Sequence, residues 1–418
     1  MKRFRSVIPD LPRRAWILLA GDTISFFGNG LVMPFTIVYL TRARGIEIEI
    51  AGLVIGARAL VGVLAGPFAG SLVDKVGSRR VLIFASVATA FGMLGYALVR
   101  EPWHAFVAAG ISGLGFASFW PSMQSLLSSV VEPRARSAVF AVHYAALNLG
   151  IGVGGIFGGF LADIDDASSF VVLYLLDSIT FAPIIVLLVT VLKGIGNVAE
   201  PTEGVVAGAG SYLDVFRDKV FVRVFVLMAV LTSVGYSQLE SSFPAYATSE
   251  GGIGTFALGI AFAGNTFFIV ISQLLILKRI EGMRRTRAIV ALCLAWAACW
   301  GVTVVSGFFS GSVATGGFVL AMVLFAFGET LLSPTIPAIV NDLAPDEMRG
   351  RYNAMYSLSW NGGTIVGPAL AGVFLGAGLG VLFFFGLVAA CGLAAVMAIS
   401  LERHLPARTN LISEITPA

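Results

Sequence analysis

Twelve apolar runs limit what this chain can become. They lie near residues 15–41, 48–73, 80–99, 104–130, 137–161, 169–193, 219–248, 253–277, 286–307, 314–342, 348–376 and 378–401. At about 1.5 Å per helical residue, each is long enough to cross a hydrocarbon core of about 30 Å. The chain is 57% hydrophobic and only 12% charged, about half the charge of an ordinary globular protein. Its 49 glycines supply the small surfaces by which helices approach closely in lipid. The expected fold class is therefore all-α and polytopic, with the lipid bilayer as solvent, not a soluble enzyme on one anchor.

The basic residues then fix an orientation. Of 27 lysines and arginines, 23 fall on one side of the twelve-span arrangement and three (Arg42, Arg44 and Arg100) on the other, with Arg58 left inside a span. An excess of positive charge marks the cytoplasmic side. This predicts a multi-pass protein of the cell membrane with both termini cytoplasmic, the basic start MKRFRSVIPDLPRR being a cytoplasmic tail. The same charges, read as topology signals, call for no nucleic-acid partner. Cys293, Cys299 and Cys391 all lie within apolar runs, as packing residues do, and form no metal-binding spacing.

The chain reads as two copies of one plan. Residues 194–210 (GIGNVAEPTEGVVAGAG) form a polar, glycine-rich interruption, which gives an N-terminal half 1–193, a cytoplasmic linker 194–218 and a C-terminal half 219–418. Landmarks recur at offsets of 205 to 213. Pro34 matches Pro244; Gly77, Arg79 and Arg80 match Gly282, Arg284 and Arg285; Gly115 and Pro121 match Gly328 and Pro334. Arg136, Ala141, Gly154 and Gly159 match Arg349, Ala354, Gly367 and Gly372.

Between the second and third runs lies a tight polar turn, GSLVDKVGSRR at residues 70–80. It resembles the loop motif G-x-x-x-D-[RK]-x-G-R-[RK] of the major facilitator superfamily through Gly70, Asp74, Lys75, Gly77 and Arg79. Ser78 stands at the first arginine position and Arg80 lies one step beyond. The resemblance covers nearly the whole chain. The fifth run carries Gly150, Gly154, Gly155, Gly158 and Gly159, similar to the antiporter motif G-x-x-x-G-P-x-x-G-G with Gly155 in place of proline. The eleventh carries the related Gly363, Gly367, Pro368 and Gly372. GETLLSPTIP (328–337) and APDEMRGRY (344–352) look like the twelve-helix drug:proton antiporter branch. Ala109 departs from that branch, which often has an arginine four residues before Gly113.

What the resemblance implies is a major facilitator fold of two six-helix pseudo-symmetric halves, working by alternating access. Asp74 would latch the cytoplasmic side against the start of helix 11, where the helix dipole favours an anion. Glu132 would partner Arg79 or Arg80. The second-half copy, KRIEGMRR, has Arg279 where Asp74 would be, so the acid latch acts from the first half only. Helices 1, 4, 7 and 10 line the cavity in this family. They carry Asp22, Gln124, Glu240 and Glu329 beside Phe26, Phe27, Trp120, Tyr236 and Phe243, a mixture suited to lipophilic cations.

Each charge inside a span needs a partner, water or a function, because it costs about 2.5–3.5 kcal/mol at mid-bilayer. Asp22 and Arg58 lie at similar depth, within about 5 Å. A pair between them is expected, either sensitive to protons and substrate or static. Glu329 is expected to carry a proton or to be a protonated structural group. Glu240 is a substrate-facing acid or a solvated mouth residue. Asp177 suits an internal hydrogen bond, and His143 and Asn148 are weaker candidates.

No phosphate-cradling loop, hydrolytic constellation or metal cluster stands out. The expected protein is not an enzyme, needs no cofactor and draws on a proton gradient. Its expected partners are protons and a small molecule, and it is expected to be a monomer. The leading function is proton-coupled multidrug efflux. The alternatives are a sugar, peptide or lipid carrier or a uniporter of the same fold, and a non-transporting membrane receptor.

Overall fold

The computed structural model describes residues 11–132, 135–196, 212–332, 334–345 and 348–412. Lys2, Arg3, Arg5, Arg134 and residues 197–211 of the linker lie outside them. The described residues form twelve helical spans long and apolar enough to cross a membrane. The first half supplies α1 (Arg13–Val32, extended through shorter turns to Ala43), α2 (Ile48–Val76), α3 (Ser78–Ala97), α4 (Pro102–Ser129), α5 (Arg136–Leu161) and α6 (Ala167–Val189). The second supplies α7 (Lys219–Val234, Tyr236–Leu239 and Ser242–Ser249), α8 (Thr255–Ile280), α9 (Arg285–Ser306), α10 (Gly311–Leu332 and Ile336–Leu343), α11 (Arg349–Gly376) and α12 (Gly380–Glu402). Among the described residues there is no strand, only two isolated bridges.

The surface is the reverse of a soluble protein's. Phe68, Phe160 and Ile271 are 72–77% exposed, while Asp22, His143 and Asp177 are buried. Large apolar side chains turned outward over whole helices suit lipid and would be a liability in water. The chain is a multi-pass membrane protein.

Contacts divide the chain into two compact units, Met1–Met33 with Ala57–Thr202, and Pro34–Gly56 with Glu203–Ala418. In the first, α1 packs on α5 and α6, and α3 on α4 and α6. In the second, α7 packs on α11 and α12, and α9 on α10 and α12. These pairings are the same, six helices on, and the second unit adds close packing of α8 on α10. Leu18, Leu82, Phe119, Leu126 and Ile184 fill the first core. Trp296, Trp300, Phe318, Phe325 and Phe384 fill the second. Cys293, Cys299 and Cys391 are buried and free.

Glycine sets the closest approaches. A Cβ on Gly150 would stand 2.8 Å from the Thr23 carbonyl oxygen of α1, and one on Gly154 would collide with that of Phe27. In the second unit, a Cβ on Gly363 would stand 2.7 Å from the Ser233 nitrogen of α7, and one on Gly367 would meet Ser237. Gly155, Gly158 and Gly159 are also buried along α5. The Pro368 carbonyl packs onto Gly52 within the second unit. These contacts give the repeat a physical meaning: the same glycine face seats the fifth helix of each half on the first.

Candidate functional site

α1 carries its polar groups in a row. Most satisfy themselves: Thr23 Oγ1 donates to the Leu19 carbonyl at 2.7 Å, and Ser25 Oγ to that of Gly21 at 3.3 Å. A hydroxyl can bond back to its own helix in this way. A carboxylate brings no such donor, so Asp22 needs a neighbour. That neighbour is His143 of α5, whose Nε2 shares a 2.6 Å hydrogen bond with Asp22 Oδ2. Asp22 is 1% exposed and His143 4%. The second carboxyl oxygen, Oδ1, has no hydrogen-bond partner.

The glycine face explains the pairing. His143, Leu147, Gly150 and Gly154 follow one another at helical spacing on α5. The glycines draw α5 onto α1, and the same face then brings the imidazole to the carboxylate. Around the pair stand aromatic rings. Trp120 of α4 lies 5.8 Å from the His143 ring and 6.0 Å from Phe26, and Phe26 lies 6.2 Å from Phe119. Phe27 leans on Phe157, and Gln124, one turn beyond Trp120, is exposed. A small void lined by Ser25, Phe26, Asn29, Thr89, Phe116 and Phe181 holds about 10 Å³, the size of one water.

The expected Asp22–Arg58 pair does not form. Asp22 faces α5, and the Arg58 guanidinium instead lies 5.2 Å above the Phe116 ring of α4. Equal depth fixes height along the membrane normal but not the direction a side chain takes around its helix. Arg58 acts electrostatically on Asp177 of α6. Asp177 is fully buried, with Thr180 Oγ1 at 3.5 Å from Oδ1, and its Oδ2 has no hydrogen-bond partner. Asn148 donates within its own helix to the Tyr144 carbonyl.

In the second unit the helices bearing the acids are broken. α7 leaves helical geometry at Gly235 (φ −110°, ψ −94°) and again at Ser241 (φ −126°, ψ −88°), and Glu240 sits at the second break, half-buried. α10 is interrupted at Thr335 (φ −110°, ψ −84°), and Glu329, also half-buried, lies nearly two turns earlier. Irregular backbone at membrane depth is tolerated only where protein buries it or where it lines a water-filled space. Here Gln238 Nε2 donates to the Ser233 carbonyl at 2.6 Å, and Ser242 Oγ donates to Gln238 Oε1 at 2.6 Å. Tyr236 stands among Trp296, Phe325 and Trp360, with ring centroids 5.7, 5.8 and 4.6 Å away. Trp296 Nε1 donates to the Phe325 carbonyl at 3.0 Å. Phe243 is wholly buried against Phe262 and Phe318.

At the loop motif, Gly77 takes φ 94°, a left-handed conformation that glycine adopts without strain, and turns α2 into α3. Gly70 is half-buried, and Asp74, Lys75 and Arg80 are exposed. Arg79 Nη1 donates to the Leu188 carbonyl at the end of α6, at 2.8 Å, rather than to Glu132, which is exposed. A carbonyl freed at a helix end is a ready acceptor for a nearby arginine. The acid–arginine contact expected there is found in the second unit, where Arg285 reaches Asp342 at the end of α10 at 2.5 Å.

The described residues thus form two repeated bundles of membrane-spanning helices, one with an ionisable pair buried in its core and one with broken helices carrying acids, an arrangement whose class the family comparison identifies as a membrane transporter. The family model described as the Major Facilitator Superfamily matches residues 18–320 and 295–416, and the chain belongs to that family. Over 395 residues it is 25% identical to a Na(+), Li(+), K(+)/H(+) antiporter of Planococcus maritimus, covering 86% of this chain and 89% of that one. Over 365 residues it is 22% identical to the quinolone resistance protein NorA of Staphylococcus aureus (strain MRSA252), with coverage of 86% and 89%. Among solved structures, a POT family transporter in complex with 5-aminolevulinic acid superposes with a TM-score of 0.78 at 15% identity, covering 95% of this chain and 98% of that one.

Proposed function

We propose that this transporter exports lipophilic, cationic small molecules in exchange for protons, by alternating access. The observation that carries the reading is the sealed Asp22–His143 pair, with one carboxyl oxygen unpartnered and Trp120 and Phe26 beside it. A carboxylate with a neutral imidazole holds one negative charge. That charge can be met by a second proton or by a substrate cation, but meeting both at once would leave an uncompensated positive charge in a dry core. Competition of this kind couples the two flows. The neighbouring rings offer faces to a cation at low dielectric. Glu240 and Glu329 are proposed as acids that meet substrate or proton along its path, with Tyr236 as an aromatic contact. Asp74 is proposed as a latch residue. The proposal includes a monomer in the cell membrane with both termini cytoplasmic, the orientation that the basic loops favour. The likeness to the quinolone resistance protein supports export of a drug-like molecule.

A second reading, exchange of alkali cations for protons, is favoured by the likeness to the cation/proton antiporter. Proteoliposomes with an imposed pH gradient test both. Under the first reading, a fluorescent lipophilic cation moves against the proton flow, and sodium or potassium does not. Movement of the alkali ions alone establishes the second, and flux independent of the gradient overturns both.

A further inference from the structure

At the basic end of the second unit, α9 begins where α12 ends, and the two helices border an open pocket of about 400 Å³. Arg287, Val290, Ile399, Glu402 and Arg403 line it. We propose that this pocket binds the phosphate headgroup of an anionic phospholipid from the adjoining leaflet, with an acyl chain lying along the α9–α12 seam.

Charge is the first support. Glu402 is already engaged: Arg284 pairs with it, Thr286 Oγ1 donates to it at 3.0 Å, and Arg287 Nε stands 3.9 Å away. Three arginines (284, 287 and 403) against one glutamate leave a net charge of +2, and Arg287 and Arg403 are both exposed. A guanidinium fork suits phosphate oxygens.

The second support is the shape of the surface below that charge. On α9 the outward stripe runs Arg287, Val290, Leu294; on α12 it runs Arg403, Ile399, Val396. Both stripes keep helical spacing, so each occupies one face. Leu294 is 62% exposed, Val396 61% and Ile399 52%. Basic heads followed by a dry seam match an amphiphile with an anionic head.

The first turn of α9 adds no amide donors. Arg285 N–H is taken by the Asn410 carbonyl, Thr286 N–H by Asn410 Oδ1, and Arg287 and Ala288 N–H by the Arg284 carbonyl. Recognition therefore rests on the two arginine side chains. The segment that uses up these amides, Thr409–Ile412, also holds the α8–α9 loop in place through the Arg284–Leu411 bridge.

Native mass spectrometry of the full-length protein, offered equal amounts of palmitoyl-oleoyl phosphatidylglycerol and phosphatidylcholine, tests the proposal. Two arginines near a bilayer surface predict a preference for the anionic lipid of about thirty-fold. The double variant Arg287→Gln/Arg403→Gln loses that preference, and Arg408→Gln, on the same face but outside the pocket, keeps it. Each single variant loses about five-fold, which keeps the test open should the double variant fail to assemble. An unchanged preference in the pocket variants overturns the proposal, and so does an equal loss in Arg408→Gln. Binding of inorganic phosphate to the pocket without any preference for the anionic lipid also overturns it, by making the pocket a site for a free anion.

Discussion

Asp22 sits where water does not reach, so its charge has to be met by protein or by a proton. His143 meets one oxygen and leaves the other without a partner. Removing one member of a buried pair costs about 3–5 kcal/mol when the remaining charge is left alone. His143→Leu is therefore expected to lower the melting temperature more than the double variant Asp22→Asn/His143→Leu, measured on detergent-solubilised protein. Asp22→Asn by itself is expected to fold, because an amide can accept from the imidazole. It is also expected to cut pH-driven transport at least ten-fold, and unchanged coupling removes Asp22 from the mechanism. Arg285 presents a structural case. It is 6% exposed and donates to Asp342 and, at 2.8 Å, to the Thr409 carbonyl. Charge-assisted bonds of this kind are worth about 1.5–3 kcal/mol each. Arg285→Ala should lower thermal stability clearly, and Arg408→Ala, which is exposed, should not. Asp22 could be picked out from sequence because an acid in an apolar run demands an explanation. Its partner could not, because His143 lies 121 residues away and a lone histidine in a helix is ordinarily a packing residue. The available signal was the glycine face that His143 shares with Gly150 and Gly154.

Helices carry the site by the way they touch. Gly154→Leu is expected to push α5 off α1, since even a Cβ collides with the Phe27 carbonyl. Overpacking of this kind costs about 1–3 kcal/mol. Because the same face holds His143, the substitution should also abolish the proposed proton coupling. Gly367→Leu makes the equivalent clash in the second unit, where no acid–histidine pair is found among the described residues. If both variants assemble and Gly154→Leu retains coupling, the glycine face does not position His143. At the start of α6, Asp166 caps the helix by accepting from the Ser168 amide and hydroxyl, 2.8 and 2.7 Å away. Those donors hold its carboxyl below the usual carboxylate range. The cap is thus complete at neutral pH and is lost as pH falls through that depressed value. Hydrogen exchange at the Ser168 amide should accelerate there while the helix interior stays protected. All twelve spans could be read from apolar length to within a few residues, since crossing a bilayer is a length requirement. The breaks in α7 and α10 were legible only in part. Pro244 lies three residues after Ser241, and Pro334 and Pro337 flank Thr335; a proline removes a donor from the helix ladder and its ring clashes with the carbonyl four residues back. Gly235 sits in an apolar run like many other glycines, and close packing against Trp296 marks the break there.

Across the whole molecule the two repeats share a scaffold and differ in chemistry. The offset of 210 that relates the first helices carries Asp22 onto Thr232, and the offset of 213 that relates the fifth carries His143 onto Tyr356. The second unit thus holds a hydroxyl and a phenol where the first holds a carboxylate and an imidazole. Thr232 Oγ1 bonds back to the Met228 carbonyl at 3.0 Å, needing no partner across the interface. Duplication accounts for the helix pairing, and divergence at these two positions leaves the buried acid–base pair to one half. Twelve spans among the described residues bring Arg13 and Glu402 to the same side of the membrane, and the basic loops on that side support its proposed cytoplasmic placement. Single cysteines can report this, because the native Cys293, Cys299 and Cys391 are buried and give a quiet background. Asp165→Cys, in the exposed turn between α5 and α6, should react with a membrane-impermeant maleimide on intact cells, and Arg408→Cys should react only after the membrane is opened. The reverse pattern inverts the protein in the membrane. It would turn the proposed export into import under the same proton gradient. Labelling of both positions from outside would break the even span count on which the two-repeat scheme depends.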